Sequence, residues 1–244
     1  MTRFTSTKVI SCPHCQHNAL MKGLSSFSTG DLTRWSDGYT YSWAGQPNFT
    51  RCASCKGVYW VEDAEVIGEL PQSDSQPRKR RLFSWLSRSK ESPNPAITDF
   101  PDGWMWAQPV ERPDTDAIVI GIETLAHTPN NREKTLRRML WWRFNDQYRS
   151  SIRKTMTISD AIRHTHEQSN LHRLLELSLD EGQPRIETVE ILRELGRFDE
   201  ARLALMQVDP NTPGINIIAA KIGEEDCRVC RTQEPAWNNE TVSH

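Results

Sequence analysis

The chain has 244 residues, 36% of them hydrophobic and 25% charged, and 30 lysines and arginines against 32 aspartates and glutamates leave a net charge of −2. That is the composition of a soluble globular protein of one large or two smaller domains. The longest apolar run, Ala117–Ile122, is far too short for a membrane span, and Met1–Ser11 lacks the apolar core of an export signal, so neither an integral membrane protein nor a secreted one is expected.

In chain order the first strong signal is a pair of short cysteine motifs, Cys12-Pro13-His14-Cys15 and Cys52-Ala53-Ser54-Cys55. Together they supply four thiolates, the donor set of one tetrahedral Zn2+, and their spacing predicts a zinc ribbon over residues 1–70. Pro13 stiffens the first turn, and Gly57 is expected to free the backbone just after the second. Four sulfur ligands leave no open coordination position, so the predicted role of the metal is structural rather than catalytic. His14 and His17 are expected beside the ligands or exposed. All six cysteines fall in Cys-x-x-Cys pairs, which suits metal or redox chemistry better than a disulfide framework and predicts a reducing, cytoplasmic setting.

Between the cysteine motifs, Asp37-Gly38 followed by aromatics at Tyr39, Tyr41 and Trp43 predicts a β-hairpin, and Val58–Val61 predicts a further strand. A small antiparallel sheet with the metal in place of a large core follows. Residues 71–98, rich in Ser, Pro, Gln and Arg, read as a flexible basic linker. Within it, residues 78–90 carry six cations beside Leu82, Phe83, Trp85 and Leu86. Such a segment can contact an anionic membrane surface, although a solvated linker is the commoner outcome.

The remainder, residues 99–231, reads as a helical domain, giving an α+β chain in which a small antiparallel zinc ribbon precedes an all-α region. Ile118, Ile122, Leu125 and Ala126 recur at helical spacing. A second helix over about 131–149 aligns Leu136, Leu140, Phe144 and Tyr148, widened by Trp141. Trp142 lies off that stripe and is expected to pack against a neighbouring helix. Leu171, Leu174, Leu175 and Ser178 define a face of a third helix, which Gly182 and Pro184 end.

In residues 191–201, Gly196 allows a tight turn between antiparallel helices, Phe198 plugs the gap between them and Ala201 is small where they approach. Ala201, Ala204, Leu205 and Val208 then share one face. This stretch closely resembles the turn of a tetratricopeptide repeat, over about 185–213, although the large aromatic of the first helix is absent. Together with the ribbon and the stretch from Glu133 through Trp141-Trp142 to Asn145-Asp146, it resembles an uncharacterised type of bacterial zinc-ribbon protein. That resemblance implies no reaction. Flanking helices at 160–180 and 214–231 would complete a short helical layer able to hold a peptide or a partner helix.

Cys227-Arg228-Val229-Cys230, expected on the last helix, is a third pair without a fourth. It could form a redox couple or recruit His164 and His166, but two ordinary thiols are the simpler reading. Residues 232–244 read as a disordered tail. No phosphate-binding glycine loop, nucleophile elbow or His-Glu-x-x-His helix occurs, and Glu190, Glu194 and Glu200 are expected on solvated helix faces. The sequence therefore predicts a non-enzymatic zinc-binding adaptor, with Cys12, Cys15, Cys52 and Cys55 on Zn2+ and a protein partner on the helical domain. One alternative is a nucleic-acid-binding regulator using the ribbon and linker, for which neither folded region supplies a cationic face. The other is thiol chemistry at Cys227 and Cys230.

Overall fold

The computed structural model describes residues 3–26, 32–41, 45–70, 101, 103–125, 132–149, 160–179 and 185–233. Trp43, the basic segment 78–90, Gly182, Pro184 and residues 234–244 lie outside them. The chain divides into two compact units, Met1–Phe27 with Gln46–Arg112, and Ser28–Gly45 with Pro113–His244. The units interleave in sequence, because the segment between the two cysteine motifs groups with the helices.

In the first unit, β1 (Arg3–Ser11) and β2 (Asn18–Ser26) form a hairpin, β7 (Glu65–Leu70) pairs antiparallel with β1, and β8 (Gln108–Pro109) runs parallel to β2. The sheet order is β7-β1-β2-β8. A second hairpin joins β5 (Phe49–Arg51) to β6 (Val58–Trp60), with Phe49 and Trp60 in ring contact, and Val61 begins a 3-10 turn. The small core gathers Ile10, Cys12, Cys52, Tyr59, Val61 and Ala64. Gly68 on β7 is required by packing: a β-carbon there would stand 2.0 Å from the indole of Trp104.

The second unit contains the hairpin β3 (Thr33–Trp35) and β4 (Thr40–Tyr41), turned at Gly38 with φ of 76°. The predicted hairpin forms, but its β3 edge pairs with β9 (Arg231–Gln233) rather than with a ribbon strand, giving the order β4-β3-β9. β9 takes in residues 232 and 233 of the expected tail. The helices are α1 (Thr115–Leu125), α2 (Arg132–Asn145), α3 (Asp160–Leu179), α4 (Ile186–Glu194), α5 (Phe198–Leu205) and α6 (Ile215–Gly223). Asp114 starts α1 by accepting the Ala117 N–H at 2.7 Å, an N-cap that the preceding Pro113 leaves in place.

The predicted stripe of α2 is buried at Leu136, Leu140, Trp141 and Phe144, whereas Tyr148, in a 3-10 turn after the helix, is exposed. Leu171, Leu174 and Leu175 of α3 join Trp141, Val189, Ile191, Leu192, Ala201, Ala204, Ile218 and Ile222 in the main core of this unit. Gly196, at φ of 73°, ends α4: Arg197 N–H reaches Leu192 O and Gly196 N–H reaches Arg193 O, and α5 begins at Phe198. Helix α6 stops at Gly223, so Cys227 and Cys230 lie in the segment between α6 and β9 and not on the helix that the sequence predicted for them. Among the described residues no helix is long and apolar enough to cross a membrane.

Candidate functional site

The two cysteine motifs of the first unit are the turns of two hairpins, β1–β2 and β5–β6, and they are built alike. In the first, Cys12 N–H donates to His17 O and Gln16 N–H to Cys12 O, with Gln16 at φ of 60°. In the second, Cys52 N–H donates to Gly57 O and Lys56 N–H to Cys52 O, with Lys56 at φ of 62°. The left-handed residue is therefore Lys56, and Gly57 serves a different end from the one its sequence position suggested. A β-carbon on Gly57 would lie 2.8 Å from Cδ2 of His14, whose Nε2 sits 3.0 Å from Val58 O. His14 thus ties one knuckle to the other.

These turns bring Cys12, Cys15, Cys52 and Cys55 together: all four sulfurs lie within 4.8 Å of one another, with Cys12 to Cys55 at 3.9 Å and Cys15 to Cys52 at 3.7 Å. Such a group could hold a metal ion. Cys12 and Cys52 are buried and Cys15 and Cys55 exposed, so one side of the group faces solvent. Burial pushes the Cys12 thiol up to about 12, while the backbone N–H of His17 lowers Cys15 to about 7. No other comparable group of metal-ligating side chains occurs among the described residues. Cys227 is exposed and Cys230 half-buried, and they join no such group. The side chain of His164 is outside the described residues.

The second unit holds a polar cluster that no local sequence pattern announces. Asp37, in the hairpin turn, is buried and paired with the buried Arg149, whose guanidinium lies 4.3 Å from the Tyr39 ring centroid and 5.5 Å from that of Trp35. Trp142 donates its indole N–H to Asp37 O at 3.0 Å and meets Tyr39 edge-on, so its partner is the hairpin rather than a helix. Arg149 also donates to Asp146 at 2.8 Å and to Trp142 O at 2.7 Å. Tyr39 is thus held between Arg149 and Trp142.

On α4, Glu190 and Arg193 are fully buried and paired at 2.5 and 2.9 Å, and Arg193 reaches the backbone oxygen of Asp226. Glu194 accepts the Trp141 indole N–H at 2.6 Å and the Asn145 amide at 3.0 and 3.1 Å. Glu190 is thus interior and Glu194 half-buried against α2, and Glu200 is exposed as expected. The correction has a local cause. Residues Thr188 to Arg193 are buried without interruption, because α4 is packed on several sides rather than along one stripe. Burial, with Glu190 and Asp37 nearby, pushes Glu194 well above the usual carboxylate range, and burial raises Asp37 despite Arg149.

Comparison with known proteins finds no matching family model, no matching curated protein and no matching solved structure.

Proposed function

We propose that the chain is a non-enzymatic zinc-binding adaptor of the cytoplasm, in which a structural Zn2+ holds the first unit together and the helical unit takes a protein partner. The convergence of the four cysteine sulfurs carries this reading. Four ligands each about 2.3 Å from one tetrahedral ion stand about 3.8 Å apart, which matches the two shorter sulfur separations of 3.9 and 3.7 Å. An all-thiolate, four-coordinate shell favours Zn2+ and leaves no site for water or substrate, so the ion stabilises and does not catalyse. Its binding is worth on the order of 10 kcal/mol, enough to decide whether a unit with so small a core folds.

Support for a partner role comes from the α4–α5 turn, whose Gly196, Phe198 and Ala201 follow the tetratricopeptide-like pattern, and from apolar side chains left in solvent. Leu203 is 62% and Met206 80% exposed on and just after α5, and Ile217 is half-exposed on α6. Met206 also lines a shallow hollow with Arg202, Leu205, Ala219 and Ile222. Metal analysis of the purified chain is expected to return one Zn2+, lost together with the fold of the first unit in Cys52→Ser. A metal-free protein with an intact first unit would refute the structural role. A partner that co-purifies with the intact chain is expected to be lost on Leu203→Glu with Met206→Glu, and binding unchanged by that pair would refute the helical surface.

A further inference from the structure

The four sulfurs come from two hairpins that share no backbone ladder among the described residues: β1–β2 lies in the four-stranded sheet, and β5–β6 forms a sheet of its own. A side chain crosses between them. His14, inside the first cysteine motif, brings its Nε2 to 3.0 Å from Val58 O on the second hairpin, and because a carbonyl oxygen only accepts, Nε2 is the ring nitrogen that carries the proton. The same ring meets Tyr59 edge-on, with centroids 6.4 Å apart, and fills the space beside Gly57. The backbone it grips serves the sulfurs directly: Gly57 N–H donates to Cys55 Sγ, as the N–H groups of His14 and Cys15 do to Cys12 Sγ and that of His17 does to Cys15 Sγ. Cys55 is exposed, and the space that a Gly57 β-carbon would take is bounded by both the His14 ring and Cys55 Sγ, the latter at 3.4 Å.

We propose that His14 is a positioning residue for the metal: its Nε2–H bond to Val58 O holds the second knuckle against the first, keeps Gly57 N–H aimed at the exposed Cys55 sulfur, and so slows release of the ion. This rests on the reading of the four cysteines as a Zn2+ site. Release from such a site starts at a sulfur that solvent or a competing chelator can reach, and Cys15 and Cys55 are those sulfurs, one from each hairpin. A thiolate that comes off is recaptured while its knuckle stays in place; once the knuckles part, only two sulfurs of the four remain within reach. His14 opposes that parting without contributing a ligand, because the four sulfurs complete a tetrahedral shell. Removing a group that orients metal ligands in this way typically costs about 10- to 100-fold in metal affinity.

The test follows transfer of Zn2+ from the loaded full chain to excess pyridylazoresorcinol. His14→Phe keeps a ring beside Gly57 but removes the donor, and is expected to release Zn2+ about 10- to 100-fold faster than the wild type. His14→Gln offers an amide N–H in place of Nε2–H and should restore most of the wild-type rate. The visible spectrum of the Co2+-loaded chain should be the same in wild type and His14→Phe, because four sulfurs hold the ion in both; a changed spectrum would make His14 a ligand and overturn the positioning role. Equal release rates in wild type and His14→Phe, or equally fast release from both variants, would overturn it as well. In the wild type alone, 15N spectra of the His14 ring should show the proton on Nε2 and protected from exchange, and a proton on Nδ1 would refute the bond whatever the variants do. A chain that binds no metal would sink the Zn2+ reading together with this inference, whereas an ion retained regardless of His14 would sink this inference alone.

Discussion

At the scale of single residues, the second unit depends on polar side chains that would be costly if any one partner were removed. Arg149 satisfies Asp37 and Asp146 at once, lies against Trp35 and Tyr39, and is fully buried. Arg149→Met is expected to destabilise this unit by about 3–5 kcal/mol, because it leaves the Asp37 carboxylate buried without its counter-charge. Urea unfolding checks it, and adding Asp37→Asn should recover part of the loss, since the double change removes the orphaned charge as well. In the first unit the corresponding dependence is steric. Gly57 and Gly68 are small because the rings of His14 and Trp104 occupy the space beside them.

At the scale of elements, each cysteine motif is one hairpin turn with a left-handed residue after its second cysteine, and the core around Ile10, Tyr59 and Val61 is continuous with Cys12 and Cys52. The α4–α5 hairpin relies on Gly196 for its reversal. Nothing lies within 4 Å of a β-carbon built there, so only the positive φ opposes a side chain. Gly196→Ala is therefore expected to cost about 1 kcal/mol, visible as a modest fall in the thermal midpoint without loss of helix. The exposed pairs Arg197–Glu200 and Arg202–Asp199 flank this hairpin and, being in solvent, should matter little to its stability.

At the scale of the molecule, the interleaving of the two units makes a cut between them destructive. A fragment spanning 113–244 lacks the hairpin, so β9 loses its partner strand and Arg149 loses Asp37. It is expected to be helical by circular dichroism yet to unfold without a cooperative transition. Addition of a peptide covering residues 28–45 should restore cooperativity, and a fragment already cooperative alone would contradict this account. The sequence by itself determined the four converging cysteines, the Asp37-Gly38 hairpin, the apolar faces of α2 and α3 and the Gly196 turn, because each is written in local spacing: Cys-x-x-Cys, a turn dipeptide, a period near 3.6, a glycine at a helix end. Only the tertiary structure decided that the hairpin belongs with the helices, that Trp142 meets the hairpin, and that Glu190 and Arg193 are interior. Those outcomes depend on pairings between residues more than a hundred positions apart, such as Asp37 with Arg149 and Trp35 with Arg231, and on a helix packed from several sides. Local periodicity carries no record of which distant charge will neutralise a buried one.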